Sequence, residues 1–449
     1  MHRIRRRNHW GSAGHPLAVC ICGLWALVFA AGVCGATGDS FGKDVYLSGF
    51  VSQGYLNTSD NDFLVPRSVN GTAEFFDAAL IVSANPLDRL RVGMQLLARN
   101  FGDTGNDRVI VDWAYGDYRW RDVLGFRAGK VKMPYGLYNE GRDVDALRTA
   151  VFLPQSVYPE KLRDFVLAYQ GAGAYGSLEL GAVGELDYHG YGGTLSVPDP
   201  AQGFWSDLYS AQAKDFEAEV GRQVDRDQGL PEGTSAATFQ EITSPNVSFP
   251  WIWGGGLIWN TPLSGLRVGS TFMNGRFHYR STLRYSVEIP TTGELNYQVV
   301  PYNIDVDQTQ NIDNFFTASL EYTLDDLQLA AEYHSSKVGA DETDGWYAQA
   351  NYRFTDLISL GTYYAVAYGD KNDRHGDALE SGGLPRYYAW QKDLTASARL
   401  DLKSFWLLKV EYHFIDGVNL TEPRSLSELL AEPLERHWGM FTAKTTFLF

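Results

Sequence analysis

Between Leu327 and His334 the side chains alternate: Leu327, Leu329, Ala331 and Tyr333 share one side of an extended chain, and Gln328, Ala330, Glu332 and His334 the other. Just before them, Phe316, Ala318, Leu320, Tyr322 and Leu324 lie opposite Thr317, Ser319, Glu321 and Thr323. A period of two predicts strands. Segments of this kind recur at 45–55, 74–84, 90–99, 109–120, 124–132, 164–174, 178–189, 250–260, 266–274, 314–324, 327–335, 345–354, 357–369, 394–402, 405–415 and 437–449, sixteen in all. Their links alternate between short turns such as "NPLDR", "RDV" and "TPLSG" and long polar stretches near 56–73, 100–108, 133–163, 190–249, 275–313, 336–344, 370–392 and 416–436. On this reading every short link falls at one end of the array.

That sorting predicts an all-β fold, a transmembrane antiparallel β-barrel with short periplasmic turns and longer external loops. Hydrocarbon offers no partner to backbone N–H and C=O groups, so strands that cross it must close on themselves and leave no edge. Beyond residue 40 no uninterrupted apolar run reaches the roughly 18 residues of a membrane helix. The last strand ends in "FTAKTTFLF", with Phe441, Ala443, Thr445, Phe447 and Phe449 on one side and Thr442, Lys444 and Thr446 on the other. Its apolar side is expected to face lipid, and the strand to pair with the first. "RFHYRSTLRYSVEI" at 276–289 leaves the count open, because a tight turn at Asn274-Gly275 would give eighteen crossing strands. Pro301 and several acids weaken the return leg, so a hairpin projecting outside, with sixteen crossing strands, is the preferred reading.

The first residues change the picture of where the chain works. A basic start, "MHRIRRRNHW", an apolar core, "PLAVCICGLWALVFAAGV", and small residues at "CGA" describe a secretory signal peptide over residues 1–36, leaving a single barrel domain at 37–449. All three cysteines lie in that leader, so the mature chain carries no thiol. Its removal takes four arginines and no acids, leaving 34 Lys+Arg against 54 Asp+Glu and a formal charge of −20. A nucleic-acid partner is disfavoured by that sign.

Parity then assigns an interior, since side chains facing the lumen must oppose the apolar row of their own strand. The interior set is charged: Arg91 and Arg99 with Gln95, Lys130 and Lys132 around Val131, Arg353, Arg399 with Asp401, Lys409 with Glu411 and His413, and Lys444. Gly129 marks an expected bulge beside Lys130. The third long loop, "MPYGLYNEGRDVDALRTAVFLPQSVYPEKLRD", contains Leu147, Val151, Phe152 and Leu153, more apolar surface than an exposed loop needs. It is expected to fold inward, with Asp143 capping a short helix from Val144. Glu140, Arg142, Asp143, Asp145 and Arg148 would then face the bases of the third and fifth strands across a constriction, setting a transverse field. An external lid is the alternative.

Catalytic and metal signatures are thin: neither HExxH nor GxSxG occurs, and no cofactor is implied. "DND" at 60–62 and "DKND" at 370–373 read as solvated turns rather than calcium sites, "QGAGAYG" and "WGGGL" as barrel bends, and "FWSDLYSAQAKDFEAEV" in the fourth loop as an amphipathic helix.

"VDWAYGDYRW" followed by "GFRAGKVKMPYG" resembles the strand, turn and strand that lead into the constriction loop of Gram-negative outer-membrane porins related to the phosphate-selective group. The resemblance covers residues 109–140 well, and Lys130, Lys132, Pro134 and Gly136 match by position. It implies a passive channel for small hydrophilic or charged solutes, a homotrimer, a setting of outer-membrane lipid and lipopolysaccharide, and insertion through recognition of the C-terminal Phe449 by the barrel-assembly machinery. No arginine ladder dedicated to an anion is present, so phosphate selectivity is not implied. The alternatives are a structural or adhesive barrel and a lipid-processing enzyme.

Overall fold

The computed structural model describes residues 45–102, 105, 107–196, 203–291 and 297–449; the expected leader peptide lies outside them. The alternating segments become sixteen strands: β1 Val45–Thr58, β2 Phe75–Leu87, β3 Leu90–Phe101, β4 Val109–Arg121, β5 Leu124–Lys132, β6 Ala168–Glu179, β7 Glu185–Ser196 and β8 Ala236–Asn260. The second half holds β9 Leu266–Pro290, β10 Tyr297–Leu324, β11 Leu327–Val338, β12 Asp341–Arg353, β13 Ile358–Tyr368, β14 Trp390–Lys403, β15 Trp406–Gly417 and β16 His437–Leu448. Each strand pairs antiparallel with its neighbours in sequence, and β1 closes on β16 in a register running from Phe50 opposite Leu448 to Thr58 opposite Met440. The barrel is closed, so none of its wall strands ends in a free edge.

Which side faces what is decided by burial. Along β15, Lys409, Glu411 and His413 are 0%, 1% and 0% exposed, while Val410, Tyr412 and Phe414 are 39%, 40% and 59% exposed. A water-soluble protein does the reverse, keeping charged groups at its surface unless they are paired. The exposed apolar rows are a surface made for hydrocarbon. Rings gather at both heights of this skin, Trp406 stacked on Phe447 near the short turns and Tyr412 against Phe414 further along β15, in the manner of interfacial girdles.

Three expectations change. β8, β9 and β10 run 25, 25 and 28 residues, more than twice the roughly 9–11 that cross a bilayer. Asn274 and Gly275 continue in register opposite Trp253 and Ile252, so no turn forms there and the eighteen-strand alternative falls. The hairpin projects instead as a continuous three-stranded extension. Its inner face, with Leu283, Tyr285 and Val287, packs against Ala213, Val220 and Val224. These three come from helices Phe204–Asp215 and Glu217–Gln228, two where one was expected. The 190–249 and 275–313 loops are therefore largely strand and helix. Finally, β11 and β12 are joined through Gly339 and Ala340 alone, and Gly339 supplies the positive φ of 61° that so tight a link demands. The long link expected at 336–344 is absent, and one short link sits at the long-loop end.

Val410→Arg puts a guanidinium on the lipid-facing row and should destabilise the barrel by about 2–4 kcal/mol, against about 0–1 kcal/mol for His437→Arg at the rim. Urea unfolding of the reconstituted protein measures both.

Candidate functional site

Residues 133–167 leave β5 and turn into the barrel. The turn needs a glycine: Gly136 has φ 57°, its N–H donates to Thr271 Oγ1 at 3.2 Å, and a Cβ there would lie 2.3 Å from the Tyr158 hydroxyl. Apolar burial then drives the loop onto the wall. Leu153, Val157, Tyr158, Phe165 and Val166 pack with Phe249, Phe315, Tyr347 and Tyr363. Val151 and Phe152 pack with Phe75, Phe101 and Met440. Leu147 does not join them and is 68% exposed.

Polar contacts pin the same loop at several points. Asp145 meets Lys444 Nζ at 2.9 Å, Arg148 Nη2 at 3.0 Å and Lys409 Nζ at 3.8 Å, and accepts from Thr446 Oγ1 at 2.7 Å. Lys444 also reaches Asp77 at 2.9 Å. Glu160 joins Arg99 of β3 at 2.7 Å to Arg142 of the loop at 3.1 Å. Arg163 binds Asp143 at 2.7 Å and Asp112 of β4 at 3.0 Å. Wall carboxylates also take loop backbone: Glu411 accepts the Val151 N–H at 2.6 Å and Glu332 the Leu137 N–H at 2.8 Å. Glu411 is itself bridged to Asp393 through His413, at 2.7 and 2.8 Å.

These contacts replace the expected field across a gap. Acids and bases of loop and wall touch, so their charges are largely cancelled pairwise. Asp143 caps nothing: the 3₁₀ turn Asp145–Leu147 has Val144 at its N-cap and no side-chain cap, because the Asp143 carboxylate is engaged by Arg163 and by Lys132 at 3.4 Å. Arg148 serves the loop itself, donating to the carbonyls of Arg142 and Val151. Arg399 pairs with Asp401 at 2.6 Å and donates to the Ala146 carbonyl at 2.6 Å.

Other predicted residues stand apart. Arg353 sits near the short turns with Asp356 at 2.6 Å, and Arg91 approaches Ser83 at 3.5 Å. Lys130 shares its parity with the exposed Phe126 and donates to the Val111 carbonyl at 2.7 Å, lining a small pocket with Asp112 and Asp164 instead of meeting Glu140, Asp143 or Asp145. The cause is Val131, which packs inward with Tyr169 and Tyr191 rather than facing lipid. The register runs through Gly129 without a shift, so the expected bulge is absent and parity puts Lys130 on the other side. The expected pairing of Lys130 with Lys132 at one constriction does not occur. Arg127, two residues earlier, takes that place, binding Asp117 at 2.9 Å and Glu140 at 3.2 Å. Its inward position was readable from Phe126 beside it. Glu160, Arg163 and Asp112 carried no such signal, since two lie in an irregular loop and the third beside the β3/β4 register shift. Asp62 and Asp373 cap their own turns, accepting Val69 N–H at 3.1 Å and Ala378 N–H at 2.8 Å, and no cluster fit for a metal occurs among the described residues.

Burial opposes the ionisation of Asp145, yet Lys444, Lys409 and Arg148 hold its carboxyl far below the usual carboxylate range. Burial likewise opposes Glu160, while Arg142 and Arg99 bring it down to about 2. The loop leaves a cavity of about 950 Å³ along β4 to β8, lined by Arg127, Lys132, Glu140, Asp187 and His189. A second of about 490 Å³ lies by Arg353, Arg399 and Asp401.

No protein-family model matches the chain, and no curated protein does. Among solved structures, the chain is similar to the anion-selective porin of Comamonas acidovorans, at 10% identity and a TM-score of 0.49 over 91% of this chain and 100% of that one. It is similar to Salmonella typhi OmpF in complex with daunomycin, at 12% and 0.49 over 91% and 98%. The outer membrane channel DcaP of Acinetobacter baumannii follows at 11% and 0.46 over the same shares.

Asp145→Asn leaves Lys409 and Lys444 buried without their shared anion and should cost about 3–5 kcal/mol, read as new protease cleavage within residues 133–167 of a barrel that stays folded. The Glu160 anchor is depressed in the folded state, so its contribution is complete above an unfolded pKa of about 4.3 and fades as pH falls towards about 2. Near-ultraviolet circular dichroism of the loop tyrosines should change in that window and stay flat above it.

Proposed function

We propose that the protein is a porin of a Gram-negative outer membrane, a homotrimeric channel through which small hydrophilic or charged solutes diffuse without a chemical step. One observation carries the reading: a closed barrel with an apolar skin holds, beside an inward loop, a cavity of about 950 Å³ whose lining includes Arg127, Lys132, Glu140 and Asp187. Arg127, Lys132 and Glu140 line that cavity, and Arg127 and Glu140, though paired, stay partly exposed at 30% and 53%, so they meet passing solutes and select among them by charge. Outer-membrane lipid and lipopolysaccharide surround the skin, and Phe449 presents the closing strand to the assembly machinery.

A second role in contact with other molecules is favoured by the extension of β8, β9 and β10. At about 3.3 Å per residue it rises well beyond any bilayer and needs no membrane to fold against.

Planar-bilayer recording tests the channel. Discrete conductance steps are expected, and folded, heat-modifiable protein that never conducts would refute the reading. Arg127→Gln with Lys132→Gln should move the reversal potential in a salt gradient towards cation selectivity, and Glu140→Gln towards anions. An unchanged potential in both would remove this cavity from the path.

A further inference from the structure

On the long-loop side of the inward loop lies another cavity, of about 310 Å³, with a different lining. Phe63 and Leu64 of the first loop, Val157, Leu162 and Val166 of the inward loop, and Phe315 of β10 form its walls. Protein interiors are close-packed, with few voids larger than a water molecule. An apolar void of roughly 150 Å³ stays dry and accepts benzene. A chamber about twice that size, with largely apolar walls, has no use in the diffusion of hydrophilic solutes.

Two further observations point to an occupant. Leu64 adopts φ 66°, a left-handed conformation that a bulky side chain avoids, and it does so while buried, between Phe63 and Val65, which bridge across it. Strain of this kind persists where the surroundings over-determine it, and it gathers at ligand clamps. The charges at the chamber wall are also already paired. Lys161 meets Glu422 at 2.8 Å and the Leu420 carbonyl at 3.1 Å, and Asp344 is bound through Oδ2 by Arg374, leaving its buried Oδ1 as an open acceptor for one donor group. An ionised guest would be desolvated without a counter-charge. Uncharged polar side chains stand among the apolar ones, including Ser336, Thr343, Asn419 and His334, whose Nδ1 is hydrogen-bonded with the Tyr135 hydroxyl at 2.9 Å.

We propose that this chamber binds an uncharged solute with an apolar body of about one ring and a single hydrogen-bonding group. The site stands whether or not the barrel conducts.

The test uses the full-length barrel in liposomes and fluorine NMR, with para-fluorobenzyl alcohol as probe and protein-free liposomes as blank. Saturable binding is expected, about tenfold weaker for para-fluorobenzoate and about tenfold weaker for the alcohol in Leu162→Trp, which fills the chamber from its rim. Absence of a saturable component overturns the proposal, as does equal affinity of a folded Leu162→Trp barrel. Should that variant not fold, Leu64→Gly, whose backbone accepts the same φ, removes a wall residue and must weaken binding. Unchanged affinity there refutes the site.

Discussion

Closure of β16 onto β1 is the constraint on which the rest depends. A strand in hydrocarbon cannot leave its N–H and C=O groups unpaired, so sixteen strands stand only if the last meets the first in register. Once closed, the sheet has an outside and an inside, and the period-two alternation of every strand acquires two distinct solvents. The exposed Val410 and the buried Lys409 are neighbours in the chain, and both are comfortable for that reason.

Closure also creates the problem that the third loop solves. A cylinder of this many strands encloses water, and its inner charges need partners or hydration. Residues 133–167 enter that space with apolar side chains for the wall, as at Val157 and Phe165, and with carboxylates and guanidinia for the charges around them. Buried ion pairs add little net stability against well-packed apolar residues, but breaking one is costly. Such a web therefore works as a specific latch: it sets where the loop lies more than how tightly the barrel folds. What stays open is the strip along β4 to β8, where Arg127 and Glu140 border the cavity.

How much of this could be read from residues alone varied with the regularity of the backbone. Alternation along Leu327–His334 or Phe441–Phe449 states a strand and its two faces directly, because the pleat repeats every two residues. The strand segments and the outward apolar row followed from it, while the inward loop was read from apolar residues such as Val151 and Phe152 in an irregular stretch. The same rule holds along β5, but Val131 is the wrong residue to start it from. Apolar yet not facing lipid, it is buried in one cluster with the inward loop, which puts Arg127 at the cavity and Lys130 on the other side. It also could not tell a turn at Asn274-Gly275 from a strand running through it, since the choice depends on partners in β8 and β10.

The residues alone give the class of fold and a charged interior, since these rest on local periodicity and on the chemistry of lipid; the choice of sixteen crossing strands over eighteen came from the partners of β9. Which charges meet is settled by the folded chain alone. Asp145 with Lys444, Glu160 with Arg99, and Arg163 with Asp112 are partners across long stretches of chain. Their pairing depends on where an irregular loop comes to rest, which no repeat along the chain encodes.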